Sequence, residues 1–224
     1  MNNPAMDPDE VLSGVEWLGH AGFRIKTRSA VVYVDPWRAP GAPDADVILI
    51  THDHFDHFSR EDVVRLSRRG TKLVAPATVT ERLRGPTSSV APGEAIEVAG
   101  LEIRVVAAYN TNKLDSEGRP FHGRDAGWVG YVIADGARRI YHSGDTDVVP
   151  EMDEAAGVDV ALLPVSGTYV MTSAEAAEAA RRIAPGVAVP MHWGALIGTR
   201  EDAEHFAAEA PCPVAILEPV PAAA

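Results

Sequence analysis

Along this chain the hydrophobic positions fall into short apolar runs broken by turn residues, with only a few stretches of helical period between them. Val15–Leu18, Phe23–Lys26 and Val31–Asp35 follow one another closely, as strands of antiparallel hairpins do. Asp46–Ile50 is an aliphatic and β-branched run that reads as a buried strand. Ser59-Arg60-Glu61-Asp62 carries a capping signal, with Ser59 as N-cap, and predicts a helix to Arg69 before Gly70. Thr71–Ala75 reads as a strand and Thr78–Arg84 as a short helix stopped by Gly85-Pro86. A second group of strands is predicted at Glu94–Val98, Leu101–Ala107, Trp128–Ala134 and Arg139–His142, with turns at Gly100 and Asp135-Gly136. Val158–Pro164, Val187–Pro190 and Val214–Leu217 read as further strands. Thr172–Ala184 and Arg200–Ala210 read as helices, the former opened by Thr172-Ser173-Ala174-Glu175. Two groups of strands with helices around them predict an α/β (α+β) fold, a sandwich of sheets inside helices. We expect it to form a single domain over residues 11–220, after a flexible N-terminus at 1–10 and before a frayed tail at Ala222–Ala224.

Composition narrows the class. The chain has 224 residues, 46% hydrophobic and 23% charged, which suits one globular domain with a full core. No apolar run is long enough to span a bilayer, and Met1–Glu10 lacks the basic start and apolar centre of a signal peptide. The expectation is therefore a cytoplasmic protein without a membrane partner. A single cysteine, Cys212 between two prolines, excludes an intrachain disulfide and is read as structural. Twenty basic against 32 acidic residues give a formal charge of −12, which disfavours nucleic acid as a partner. It does not exclude a small anionic substrate, because bound cations would dominate the local charge.

Thr51-His52-Asp53-His54-Phe55-Asp56-His57-Phe58 carries the chemistry: three of eight histidines fall within six residues, interleaved with carboxylates. Imidazole is the commonest side-chain ligand for zinc, and carboxylates extend the set to harder metals. In an extended segment His52, His54 and Asp56 project to one side, and the chain must turn at His57 to bring it to the same centre. The pairs His52/His54 and Asp56/His57 can thus begin two adjacent metal sites. They sit at the carboxyl end of a buried strand, on a loop entering a helix, where catalytic groups concentrate.

Two such sites need more ligands. Asp145, in Ser143-Gly144-Asp145-Thr146, reads either as a turn aspartate or as a carboxylate that can bridge two cations, and His192, in Pro190-Met191-His192 beyond another apolar strand, either as structural or as a ligand. His20 is read either as approaching the site or as structural near the first hairpin. His142 is read as packed and His205 as a solvated surface residue. The irregular stretch 109–127 and Ser166-Gly167-Thr168-Tyr169 are candidate pocket linings.

The His-x-His-x-Asp-His motif at 52–57, Gly144-Asp145-Thr146 and Pro190-Met191-His192, in this order at strand ends, resemble the metallo-β-lactamase superfamily. More narrowly, with Leu18-Gly19-His20-Ala21-Gly22-Phe23 and Val34-Asp35-Pro36-Trp37, they resemble its branch containing the L-ascorbate 6-phosphate lactonase-like proteins. The resemblance implies a four-layer αββα sandwich with metals at one edge. By motif it implies His52 and His54 on the first metal, Asp56, His57 and His192 on the second, and Asp145 bridging. Asp35 would then accept a hydrogen bond from a ligand histidine. The pattern departs at one place. Asn110 stands where the family has a third histidine for the first metal, and His122, twelve residues on, can either fold back to fill that place or leave a weaker first site.

The implied function is metal-dependent hydrolysis of an ester, lactone or phosphoester bond in a small molecule by a hydroxide on a dinuclear centre. Two divalent ions are expected, zinc first, manganese or iron as alternatives, and Asp56 would both ligate and handle the water's proton. Other readings stay open: an iron-dependent thiol dioxygenase-type oxidoreductase, or a non-catalytic metal-binding protein on the same fold. The reduction-type relatives generally carry a glutamate where this chain has His54. A homo-oligomer is compatible with the sequence.

Overall fold

The computed structural model describes residues 8–221. The chain runs α1 (Pro8–Val11), β1 (Val15–Gly19), β2 (Gly22–Lys26), β3 (Val31–Val34), β4 (Ala45–Leu49), α2 (Arg60–Leu66), β5 (Ser67–Pro76), α3 (Ala77–Thr80), β6 (Thr87–Val90), β7 (Ala95–Val98) and β8 (Leu101–Ala107). It continues through β9 (Val129–Ala134), β10 (Arg139–His142), β11 (Val160–Pro164), α4 (Ser173–Ile183), β12 (Val187–Met191) and α5 (Arg200–Glu209). Short 3-10 helices lie at Arg124–Ala126 and Pro150–Ala155.

The strands form two six-stranded sheets, β1-β2-β3-β4-β5-β6 and β12-β11-β10-β9-β8-β7. Each sheet is antiparallel over its hairpins and parallel where a crossover intervenes: β3 to β6 are parallel neighbours, as are β10 to β12. Side-chain alternation makes the layers. Val47 and Leu49 of β4 point into the core between the sheets, while Ile48 faces Val63 and Leu66 of α2 on the outside. On the far side α4 and α5 cover β11 and β12, giving the αββα order of layers. Fully buried Phe23, Ile25, Leu49, Ile103 and Tyr131 lie in the central layer. Burial of such side chains, at roughly 1.5–3 kcal/mol each, is the main force holding the sheets together. Among the described residues no helix is long and apolar enough to cross a membrane.

Both faces of β4 are buried, so its apolar run is continuous rather than alternating, as expected of a central parallel strand. The capping signals also form as read. Ser59 accepts the backbone N–H of Asp62, and Thr172 with Glu175 makes a reciprocal capping box at α4.

The chain departs from its sequence pattern in several places. The helix predicted to Arg69 ends at Leu66, because Ser67 turns extended and its hydroxyl donates to Val63 O at 2.6 Å, competing for a helical carbonyl. The short helix predicted over Thr78–Arg84 occupies Ala77–Thr80. Strand β6 follows Gly85-Pro86, and its exposed Ser88 and Ser89 gave no alternating signal. Val214–Leu217 forms only an isolated bridge, Val214 to Ala188, in place of a strand. Of the stretch 1–10 read as flexible, α1 takes up residues 8–10, and residues 1–7 lie outside the described residues, as does the tail 222–224.

The two sheets bring the carboxyl ends of β1, β3, β4, β8, β10 and β12 to one edge. Two links close that edge: Tyr131 donates its hydroxyl to Ile50 O at 2.7 Å, and Val129 N–H donates to Thr51 O at 3.1 Å. Gly130, between these two links, lets β9 lie close against the end of β10, since a Cβ there would stand 2.6 Å from the carbonyl oxygens of His142 and Ser143.

Candidate metal centre

Every sequence-predicted ligand stands at this edge. His52, His54, Asp56 and His57 follow β4, and the amides of His57 and Phe58 both donate to His54 O, which makes the turn that returns His57 to the centre. Asp145 follows β10 and His192 follows β12. His192 takes a left-handed backbone (φ 61°), held by its N–H donating to His20 O at 2.8 Å. His20 opens the β1–β2 turn, also left-handed (φ 52°), and its carbonyl accepts Trp17 Nε1–H as well.

These side chains fall into two clusters. The ring nitrogens of His52, His54 and His122 lie within reach of one cation, and so do the donor atoms of His20, Asp56, His57 and His192. His52 Nε2 and His54 Nδ1 are 3.1 Å apart. Two nitrogens sharing a tetrahedral zinc at roughly 2.0–2.1 Å would stand about 3.3 Å apart. Asp145 lies between the clusters. Its Oδ2 is 3.3 Å from His122 Nε2 and 3.1 Å from His192 Nε2, and its Oδ1 is 3.4 Å from His57 Nε2.

The loop between β8 and β9 thus folds back and delivers His122 to the His52/His54 pair. Asn110 takes a different place: it stands behind His122, its Oδ1 accepting from the His122 amide at 2.8 Å and from Nδ1–H at 3.0 Å, while its Nδ2 donates to Tyr169 O. The loop is held down by Asp147, which accepts the amides of Thr111 and Asn112, and by Lys113, which pairs with Glu175 at 2.6 Å.

Outer partners set the tautomers. Asp35, fully buried after β3, accepts Thr51 N–H, Thr51 Oγ1–H and His57 Nδ1–H. Because the Thr51 hydroxyl proton goes to Asp35, its oxygen accepts from His52 Nδ1–H at 2.9 Å. His122 Nδ1–H likewise goes to Asn110. In the neutral form, each of these three imidazoles turns an Nε2 lone pair inward, the arrangement a metal-binding histidine requires. His57 Nε2, His122 Nε2, His192 Nε2 and Asp145 Oδ1 are all buried without a hydrogen-bond partner. Leaving so many converging polar atoms unsatisfied is costly, and bound divalent metal fits them.

The electrostatics agree. Burial opposes a charge on His57, but the Asp145 and Asp35 carboxylates outweigh it and hold the imidazole well above its usual range. Burial pushes His52 well below that range, and burial with nearby His122 lowers His54. Burial would raise Asp145, yet the imidazoles of His192, His57 and His122 hold it well below an ordinary carboxylate. Asp56 is likewise opposed by burial but reaches about 2 through its hydrogen bond from His20 Nε2 at 2.9 Å and the nearness of His57.

The sequence leaves several roles unread. Thr51 orients His52 from behind, and Ser166, expected only as a pocket lining, places its Oγ 3.0 Å from His192 Nδ1. Trp128 packs beside His52, His54 and His122 with ring centroids 4.7–5.4 Å away. A hydroxyl directly before His52 was the one available signal. His142 is packed as read, its Nε2–H donating to Ala21 O.

A fold of two mixed sheets between helices, with a histidine–carboxylate centre at the strand ends, defines a metal-dependent hydrolase of the metallo-β-lactamase type. The family model described as a beta-lactamase superfamily domain matches residues 14–192, and the chain belongs to that family. Among curated relatives, a UPF0173 metal-dependent hydrolase of Methanopyrus kandleri is 33% identical over 226 residues, covering 92% of this chain and 96% of the relative. One from Rubrobacter xylanophilus is 33% identical over 225 residues, covering 89% and 91%. Among solved structures, a metal-dependent hydrolase from Parabacteroides distasonis superposes with a TM-score of 0.77 at 28% identity, covering 90% of this chain and 91% of that one. Igni18, a metallo hydrolase from Ignicoccus hospitalis, gives a TM-score of 0.73 at 25% identity, covering 92% and 94%.

Proposed function

We propose that the chain binds two divalent ions, zinc by preference, and hydrolyses an ester, lactone or phosphoester bond in a small molecule. His52, His54 and His122 would hold the first ion, Asp56, His57 and His192 the second, with Asp145 shared. The observation that carries this reading is the convergence of three partnerless imidazole nitrogens and one carboxylate oxygen on the space around Asp145. Ions bound there supply Lewis acidity and lower the pKa of a bound water toward neutrality. The protein's own part is positional. Asp56, ionised throughout the neutral range, orients the attacking water and accepts its proton. His20 fixes the carboxylate by donating to Oδ2, while Asp35, Thr51 and Asn110 keep the imidazoles in the required tautomer. We propose further that residues 11–220 act as one domain in the cytoplasm. The Leu18–Phe23 and Val34–Trp37 motifs support a place in the branch with the ascorbate-6-phosphate-lactonase-like proteins, a likeness of sequence that does not extend to their substrate.

The test is metal analysis of protein purified without added metal, paired with a panel of lactones, carboxylic esters and phosphodiesters. Two zinc or manganese ions per chain with turnover of one of these classes supports the reading. One iron per chain with no hydrolysis overturns it and favours oxidative chemistry. Asp145→Ala should reduce bound metal to one ion or fewer, and two ions retained in that variant would refute the shared carboxylate.

A further inference from the structure

The candidate centre opens into a cleft of about 400 Å³, at the small end of the range for ligand pockets. Its floor is His54, Asp56, His122, Asp145 and His192. Its walls are Phe55, Phe121, Tyr169, Leu196 and Ile197. Phe121 and Tyr169 meet edge to face with centroids 4.8 Å apart. Phe55, Tyr169 and Leu196 are 69%, 40% and 48% exposed, and they are three of the five large hydrophobic side chains left exposed among the described residues. Exposed apolar area gathered at the mouth of one cleft marks a binding surface, whereas scattered apolar residues carry no such meaning.

Charge points the same way. Among the described residues no Lys or Arg lines the cleft, and its charged side chains besides the histidines are Asp56 and Asp145. The cations of the overlying loop are engaged elsewhere: Lys113 with Glu175 and Asp147, Arg119 with Asp115 and Glu117, Arg124 with Glu151. A phosphate or sulfate on the substrate, away from the bond being cut, would find no side chain to pair with it, and such groups are ordinarily held by arginine, lysine or a helix N-terminus.

We infer that the cleft takes an uncharged, compact hydrocarbon or aromatic group, and that the substrate is a neutral carboxylic ester or lactone rather than a phosphorylated one. This rests on the hydrolase reading of the same centre. The reaction adds water across the acyl C–O bond. The water oxygen bonds to the carbonyl carbon as the bond to the leaving oxygen breaks, and the water proton passes through Asp56 to that oxygen, giving a carboxylic acid and an alcohol. In a lactone both groups remain on one product.

The inference is tested by binding, separately from turnover. Protein with measured metal content is titrated calorimetrically with acetohydroxamate, hexanoylhydroxamate and inorganic phosphate, the two hydroxamates sharing one chelating head. Hexanoylhydroxamate should bind at least tenfold tighter than acetohydroxamate and tighter than phosphate. Tyr169→Ala and Leu196→Ala, both at the exposed rim, should cut the chain-length gain to less than threefold with metal content unchanged. Equal binding of the two hydroxamates, or tighter binding of phosphate, overturns the inference even where esters are hydrolysed. So does a concentration-dependent dimer that Leu196→Ala disrupts without any chain-length effect, since a second copy would then cover these residues. A chain-length gain without turnover of any ester, lactone or phosphoester would sink the hydrolase reading and leave the apolar cleft standing.

Discussion

Asn110 holds His122 by two hydrogen bonds to one oxygen, from the backbone amide at 2.8 Å and from Nδ1–H at 3.0 Å. The residue at the place expected for a histidine therefore orients one supplied by the loop. Removing that support should lower affinity for the ion at His52, His54 and His122 by roughly 10- to 100-fold in Asn110→Ala. His122→Ala should abolish occupancy of that site. Metal stoichiometry against a competing chelator checks both, and an Asn110→Ala protein with undiminished affinity would refute the orienting role.

Asp35 makes the corresponding contact behind the other cluster, accepting His57 Nδ1–H at 2.7 Å while tied to Thr51. Its removal in Asp35→Ala leaves buried donors unpaired and should cost about 3–5 kcal/mol of stability in denaturant melts. Metal uptake should also release a proton. The folded pKa of His57 is raised above 6.5 by Asp145 and Asp35, against the pull of burial. Its protonation thus stabilises the metal-free fold fully below 6.5, a contribution lost as pH rises through the folded value. An ion must displace that proton from Nε2. Binding heats should therefore vary with the ionisation enthalpy of the buffer, and less so in Asp35→Asn.

The legible parts of this molecule were those written in local pattern. β8 alternates buried and exposed positions at its start, β10 is a short run bounded by a turn, and the Ser59 and Thr172 caps form as their motifs predict. The density of His52–His57 announced a metal centre by itself. What stayed hidden depends on distant contacts. Whether His122 reaches His52 and His54 is decided by Asn110, Asp147 and Lys113 pinning a long loop, and no local period encodes that. Strand β6 has little alternation and is specified by pairing with β5, while Val214–Leu217, apolar enough for a strand, found only one bridge beside β12. Of the cleft walls, Phe121 and Tyr169 lie in the two stretches expected to line a pocket, whereas Leu196 and Ile197 were hidden, since they sit in a glycine-bounded loop whose exposure only the fold reveals.

Gly144 couples fold to site. Its backbone is left-handed (φ 64°), and a Cβ would stand 2.6 Å from Val129 O, directly before Asp145. Gly144→Ala should destabilise the fold by about 2 kcal/mol or more and displace Asp145. Thermal melts with parallel metal analysis would show both losses together. A variant of normal stability and normal stoichiometry would contradict the coupling.

Glu175 makes acid stability readable away from the metals. Burial acts to raise its pKa, but Lys113, the Thr172 amide and Asn112 outweigh this and bring it from 4.5 to about 2. A depressed carboxylate stabilises the fold above its unfolded value and loses that contribution as pH falls through the folded one. The window is therefore pH 4.5 down to about 2. Allowing for solvent screening at this partly exposed pair, the effect is about 1 kcal/mol. Glu175→Gln should flatten the stability profile across that window in urea melts from pH 7 to pH 2.

His20 and Asp56 supply the last test. His20 is buried, strained at φ 52°, and donates from Nε2 to Asp56 Oδ2 at 2.9 Å, while its own Nδ1 has no partner. Strain of this kind persists only where surrounding contacts over-determine it, and here the His20 carbonyl is clamped by Trp17 and the His192 amide. Its side chain is thereby aimed at the carboxylate proposed to handle the water's proton. His20→Ala should free Asp56 to rotate and lower kcat by about 10- to 100-fold, with a smaller effect on KM. His20→Gln, whose amide nitrogen can take the place of Nε2, should restore part of the loss. A purely structural histidine predicts a different pattern: both variants lose stability alike, and activity per folded, metal-loaded molecule stays constant. Comparing kcat per bound metal across the three proteins separates the two, because only a positioning role makes the glutamine variant faster than the alanine variant at equal metal content.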